Sequence, residues 1–320
     1  MTMWIYLLIN ENAGNGSGLK TANEVMRLLD NKGISYETMR TLYPFHERVL
    51  VYDLLQKQKI VPWPRENEER PFPLLIVIGG DGTLHEVVNT IQNPNIPIAY
   101  IPANESDFGR TIGIRPRVKE ALDQILNATQ PIAVNTIYYH DLISDASGVC
   151  VANVGIGLDA DIDNYTNHIR QRRRFGRRPM QMIGRLTTVL KDIFFKYGFP
   201  IRVEIKGQTL YFKHTFLCTL SNIPYLAGKI AIAPNADVYK KEFDLVVIEK
   251  QPWSRLLKIA FLLWRHRHFD SPDVHHYKAD NIRLISTTPQ RIQFDGQLWD
   301  KQPVDLTLTP GSQYIWLTKD

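Results

Sequence analysis

At 320 residues the chain is long enough for two domains, each burying its own core. With 44% hydrophobic residues, 22% charged residues and two cysteines it is neither a disordered chain nor a disulfide scaffold, and no apolar run reaches the roughly 18–20 residues that cross a bilayer. Lys and Arg number 38 against 33 Asp and Glu, and the resulting net charge of +5 suits an anionic nucleotide or membrane surface as partner. Cys150 and Cys218 sit in apolar runs without metal-ligand spacing and read as core thiols of a reducing compartment. The apolar stretch from Met3 to Ile9 is too short for a signal peptide and lacks a basic flank. The expected location is therefore cytoplasmic, with membrane contact restricted to the periphery of the inner surface.

Trp4 to Ile9 reads as a buried strand that runs into a loop of glycines and small polar residues, Asn10 to Gly18. Apolar spacing at Leu19, Val25, Leu28 and Leu29 predicts a helix that stops at Lys32-Gly33, and Ile34 to Arg40 predicts a second strand ending near Thr41. A helix to about Gln58 follows, with His46 on its surface, and Pro62 to Pro73 forms a charged, proline-rich surface loop. Leu74 to Ile78 is apolar without alternation, as in a strand buried on both faces. Gly79-Gly80-Asp81-Gly82-Thr83 comes next, and then helical spacing at Leu84, Val87, Val88 and Ile91. Strand, glycine turn and helix start is the layout in which backbone N–H groups and a helix N-terminus receive an anion. A bare turn is the alternative, although an acid among glycines at a strand end is costly without a partner.

With Ile96 to Ile101 as a further strand and Glu120 to Ala128 as a helix, the first part alternates strand and helix. That pattern predicts a parallel, doubly wound sheet with ligands at the carboxyl ends of its strands. Near Pro131 the pattern changes to short alternating runs: Ala133 to Tyr139, Gly148 to Val154, Ile201 to Ile205, Phe212 to Leu220, Leu245 to Glu249, Asn281 to Ser286 and Arg291 to Phe294. These predict an antiparallel, β-rich second domain, so residues 1–131 and 132–320 are read as the two domains. Arg170 to Arg178 gathers six arginines, either as a solvated stretch or as a contact with anionic lipid headgroups. Trp253 to Trp264 predicts a helix packed on the sheet, with a place at a membrane interface as the alternative. No nucleic-acid motif accompanies the arginines, and no nucleic-acid partner is expected.

The glycine turn resembles the signature of the kinase superfamily that includes diacylglycerol, sphingosine and ceramide kinases, with NAD kinases and phosphofructokinases as distant relatives. Asn10 to Gly14 resembles that family's asparagine-proline-x-x-glycine start, with Glu11 in the proline's place. Asp107, Phe108 and Arg110 match its second signature, Asn153 to Ala160 its glycine-isoleucine-glycine-phenylalanine-aspartate-alanine motif, and Asn222 with Ile230 to Pro234 its asparagine…isoleucine-alanine-proline stretch. The resemblance covers nearly the whole chain. It implies a Rossmann-like, doubly wound first domain of the NAD kinase and phosphofructokinase type, and a β-sandwich second domain whose last strand returns to the first. The implied activity is ATP-dependent phosphoryl transfer to the hydroxyl of diacylglycerol or a similar lipid. The implied nucleotide contacts are Asn10, Ala13, Gly14, Thr41, Gly79, Gly80, Asp81, Gly82, Thr83, His85, Asn104 and Asp107.

Three departures fall on functional positions. The Asn104–Ser106 loop is one residue shorter than the family's, with Asn104 and Glu105 where a glycine and a hydroxyl residue are usual. The positions that help hold magnesium are Lys240 and Lys241, which cannot ligate it, leaving Asp237 and Asp244 as weaker candidates. The family's general-base glutamate corresponds to Gln297, which can hydrogen-bond a hydroxyl but not take its proton. Asp295 is the candidate substitute, and Asp81 joins these two as a catalytic candidate. ATP and, against the lysines, magnesium are the expected cofactors. A lipid alcohol and an anionic membrane surface met through Arg170 to Arg178 are the expected partners, and a homodimer stays open. The departures also keep a second reading open: a catalytically impaired homologue that binds nucleotide or lipid in a regulatory role. Phosphorylation of NAD is a more distant third.

Overall fold

The computed structural model describes residues 3–64, 71–157, 198–226 and 230–318. Four parallel strands form the first half: β1 (Met3–Ile9), β2 (Tyr36–Arg40), β3 (Phe72–Gly79) and β4 (Ile98–Pro102), in spatial order β4-β3-β1-β2. Ile5 and Leu7 to Ile9 of β1 and Leu74 to Ile78 of β3 are inaccessible to solvent, as non-alternating apolar runs between helical layers should be. The helices are α1 (Ala13–Asn31), α2 (His46–Gln56), α3 (Asp81–Ile91), α4 (Asp107–Thr111) and α5 (Val118–Asn127), with α1 packed on α5 and α2 on α3. α4, a short turn inside the second signature, has no counterpart in the sequence-based reading.

The remainder is antiparallel: β5 (Ile132–Asp141), β6 (Ser147–Cys150), β7 (Asn153–Gly157), β8 (Phe199–Ile205), β9 (Gln208–Ser221), β10 (Phe243–Glu249), β11 (Val274–Ala279), β12 (Ile282–Phe294) and β13 (Gln297–Ile315). The fold is thus an α/β half with a parallel sheet followed by an antiparallel, β-rich half. β13 joins them: it runs antiparallel to β12 and β5, and its end pairs parallel to β4 at Ile315 and Ile98. Trp316, just beyond, stacks on Phe72 inside the first core.

Several elements differ from expectation, each for a visible reason. Gly148 to Val154 is two strands, because the amides of Val151, Ala152 and Asn153 leave the ladder to meet the Asp295 carboxylate. Asn281 to Ser286 and Arg291 to Phe294 are one strand, β12, with irregular register around Gln290, next to Pro289. β11 has no counterpart in the sequence-based reading, because its His-His-Tyr-Lys centre is polar. The helix Trp253–Trp264 (α6) buries Leu256 and Ile259 but leaves Trp253, Leu257, Phe261 and Trp264 exposed, so core packing describes only one side of it. Among the described residues no helix is long and apolar enough to cross a membrane. Arg170 to Arg178, Asp159 and Ala160 lie outside the described residues.

Candidate active site

Four loops follow the carboxyl ends of β1, β2, β3 and β4, and backbone hydrogen bonds join them into one floor. Asn10 donates from its backbone to Ile78 (2.9 Å), Thr41 to Ile9 (2.9 Å), and Ala103 to Gly79 (2.7 Å). Side chains reinforce it: Asn10 Nδ2 donates to Thr83 Oγ1 at 2.9 Å. Gly14, Asn15 and Gly16 follow with positive φ, turning the β1 loop toward Asn104, whose side chain a Cβ on Gly14 would approach to 3.1 Å. Gly18 then lies so close to the Asn10 carbonyl that a Cβ would sit 2.0 Å from it. The sequence-derived positions Asn10, Ala13, Gly14, Thr41, Gly79 to Thr83, Asn104 and Asp107 therefore come together in one region. Glu11, in place of proline, pairs with Arg40 across the loop.

The glycines of the turn divide into two kinds. A Cβ on Gly79 would strike the Thr83 side chain at 2.7 Å, so packing alone demands glycine there. A Cβ on Gly80 or Gly82 would meet nothing within 4 Å, and neither residue has positive φ. The protein itself gives no steric or conformational reason for glycine at these two places.

Asp81, between them, is a brace. Its carboxylate accepts from the Ser106 hydroxyl, from Tyr100 Oη (3.0 Å) and from the Asp107 amide (3.2 Å). Burial raises its pKa, against the pull of the Ser106 and Tyr100 hydroxyls. Ser106 also caps α4, accepting from the Gly109 amide at 2.7 Å. The residue that departs from the family pattern thus ties the β4 loop to the glycine turn, while Asn104 and Glu105 are exposed beside it.

One turn along, α3 faces the second half of the chain. Phe294 and Gln297 pair across a tight hairpin whose central residues, Asp295 and Gly296, both have positive φ, the conformation that Asp-Gly favours. Asp295 Oδ1 accepts from the amides of Ala152 (2.8 Å) and Asn153 (2.9 Å); Oδ2 accepts from the amide of Val151 (2.7 Å) and from His85 Nδ1 (2.9 Å). The His85 tautomer follows from its neighbours: the Val149 amide donates to Asn89 Oδ1, so Asn89 Nδ2 donates to His85 Nε2, leaving the ring hydrogen on Nδ1.

Two of the expected site residues are engaged by the protein itself. His85 is 2% exposed and both its ring nitrogens are hydrogen-bonded, to Asp295 and Asn89. The Asp295 side chain is 1% exposed and its carboxylate accepts from four donors, an arrangement that disfavours a role as general base. Gln297, half-buried, donates from Nε2 to Glu86, whose buried carboxylate is held in a fork by Arg48 Nε and Nη2. Glu86 and Arg48 were missed by sequence reasoning, since a glutamate on a helix signals nothing until its partner is known.

The residues do not fit a resident magnesium ion. Asp237 is paired with Lys240 (3.6 Å), and Asp244 is buried against His276 and Lys278 on β11, so neither candidate is free to join a cluster of oxygen ligands. Lys240 and Lys241 themselves are exposed. His85, Cys150 and Asp295 lie near one another, but the first and last are committed to hydrogen bonds and burial pushes the Cys150 thiol well up, away from the ligating thiolate. Two further motif residues, Gly157 and Asn222, have packing or hydrogen-bonding reasons within the fold. Gly157 has positive φ and a Cβ there would strike Phe199 at 2.5 Å. Asn222 Nδ2 pins the carbonyls of Asn135 and Val151.

Comparison with known proteins agrees with this architecture. The family model of the diacylglycerol kinase catalytic domain matches residues 4–137, and that of the YegS C-terminal NAD kinase beta sandwich-like domain matches residues 152–316. The chain is 26% identical over 319 residues to "Putative lipid kinase YtlR" of Bacillus subtilis, covering 97% of this chain and 98% of that one. It is 28% identical over 256 residues to a diacylglycerol kinase of Staphylococcus epidermidis, covering 79% and 76% of the two chains. A crystal structure of a diacylglycerol kinase from Bacillus anthracis superposes with a TM-score of 0.67 at 17% identity, covering 98% of this chain and 96% of that one.

Proposed function

The chain belongs to the diacylglycerol kinase family, and from that premise we propose that it transfers the γ-phosphoryl group of ATP to the hydroxyl of diacylglycerol or a similar lipid. The observation that carries this reading is the pair Gly80 and Gly82, which the fold does not require and which leave backbone N–H groups open at the start of α3. An approaching phosphate supplies the missing reason for glycine. Magnesium enters with ATP as part of the substrate.

Phosphoryl transfer passes through a loose transition state in which positioning and charge stabilisation do most of the work. In this reading the α3 N-terminus and the β1 and β4 loops hold the phosphates, and Gln297 Oε1 accepts a hydrogen bond from the lipid hydroxyl and aims it. The Gln297 amide is itself fixed by Glu86 and Arg48. Without a carboxylate base the reaction is slow, since general-base assistance commonly contributes about 10²–10⁴-fold. The saturated Asp295 and the amide at Gln297 favour a second reading, nucleotide and lipid binding without turnover.

The test is transfer of labelled phosphate from ATP to dispersed diacylglycerol, beside ATP binding by calorimetry, with Gly82→Ala as control. Labelled phosphatidate that the control lacks supports the kinase. Binding without product supports the second reading, and a folded protein that does not bind ATP overturns both.

A further inference from the structure

α6 is apolar on two sides, and the fold uses one. Leu256 and Ile259, with Leu263 partly buried, pack into the cluster formed by Phe216, Val246, Ile248 and Val274 of the sheet. At about 100° per residue, Trp253, Leu257, Phe261 and Trp264 fall within an arc of roughly 80° on a different side. These four are 66, 49, 53 and 76% exposed. Single exposed apolar residues are ordinary, but four in one stripe, with a tryptophan at each end about 16 Å apart along the axis, are not.

The helix's own charges beside the stripe are of one sign. Arg255, Lys258 and Arg265 occupy the adjacent arc, all exposed, and the helix contains no acid between Trp253 and Trp264, although Arg255 also reaches the Asp273 carboxylate at 3.9 Å. Arg265 lies over the edge of the stripe, its guanidinium carbon 5.9 Å from the Phe261 ring centroid. Tryptophans at the ends, aliphatic and aromatic residues between them and a basic margin are the pattern of a helix lying in the plane of a membrane interface. A protein partner would not require that one-signed margin, whereas an anionic headgroup layer complements it.

We propose that α6 docks this protein on an anionic lipid bilayer, with Trp253, Leu257, Phe261 and Trp264 entering the interface and Arg255, Lys258 and Arg265 meeting the headgroups. The surface rests on the lipid-substrate reading for its purpose: a water-exposed enzyme must reach an acceptor that stays in the membrane.

The experiment is flotation of the full-length protein, without ATP, with vesicles of phosphatidylcholine alone or containing roughly one-third phosphatidylglycerol. Expected are binding to the anionic vesicles that weakens with salt, a blue shift of tryptophan emission, and quenching by brominated acyl chains. Trp253→Ser with Trp264→Ser lowers the partition coefficient at least about tenfold, and each of Arg255→Ser, Lys258→Ser and Arg265→Ser about fivefold. Far-UV circular dichroism and thermal melting of these variants match wild type, because the side chains are exposed. No binding by folded wild type, or binding unchanged in the double tryptophan variant, overturns the proposal. So does a lipid-independent dimer that the tryptophan variant dissolves, which assigns the stripe to a second copy. Vesicle binding without lipid phosphorylation sinks the kinase and keeps the surface; phosphorylation of a water-soluble short-chain diacylglycerol without vesicle binding does the reverse.

Discussion

The two sides of α3 make the most instructive contrast in the molecule. At its N-terminus, Gly80 and Gly82 face open space and the backbone is under-used. One turn later, His85 and Glu86 are buried, and the His85 ring nitrogens and the Glu86 carboxylate are matched to Asp295, Asn89, Arg48 and Gln297. In the proposed reading, unused glycine marks where a ligand comes, and saturated carboxylates mark where the scaffold is held. The acid most suggestive of catalysis from its motif, Asp295, therefore belongs to the second class.

The sharpest way to break this contrast is Asp295→Ala. It strands three backbone amides and His85 Nδ1 in a buried site, and the expected loss of stability is about 3–5 kcal/mol, read from urea or thermal unfolding. A mild effect would show that Asp295 is free enough for chemistry after all.

Next in size is Gln297→Glu, which removes the donor to Glu86 and sets two carboxylates together, with Arg48 able to offset only one. We expect a loss of roughly 1–3 kcal/mol that deepens as pH rises, when both groups would ionise, and recovery on adding Glu86→Gln. If the double variant also gains turnover on a lipid, the missing base limits the natural chain.

Gly82→Ala sharpens the other side. Alanine inside α3 should stabilise the fold by up to about 1 kcal/mol, because helix propensity improves and no clash opposes it. Calorimetry should nonetheless find ATP binding weakened. A loss of stability would mean the glycine serves the fold.

The smallest effect is expected at Glu47, a buried α2 side chain whose pKa is raised chiefly by burial. A raised carboxyl pKa penalises the folded state once the group ionises. The penalty is full above the folded pKa and relieved as pH falls through it toward the ordinary value of 4.5. Glu47→Gln should therefore raise Tm by about one or two degrees at neutral pH and not at all below pH of roughly 4.

The sequence alone determined what depends on neighbours along the chain. The buried strand before Gly79, the glycine turn, the start of α3, the change of periodicity near Pro131 and the apolar run from Trp253 to Trp264 are all local patterns of apolarity, branching and glycine. Tertiary structure decided the rest. Asp295 meets Val151 across 144 residues, and Gln297 meets Glu86 across 211. Whether a carboxylate is a base or a strut depends on how many donors converge on it, and donors brought together by folding leave no spacing to read. The same holds for α6: the run is apolar nearly throughout, and only the packed sheet shows which side is covered and which stays exposed.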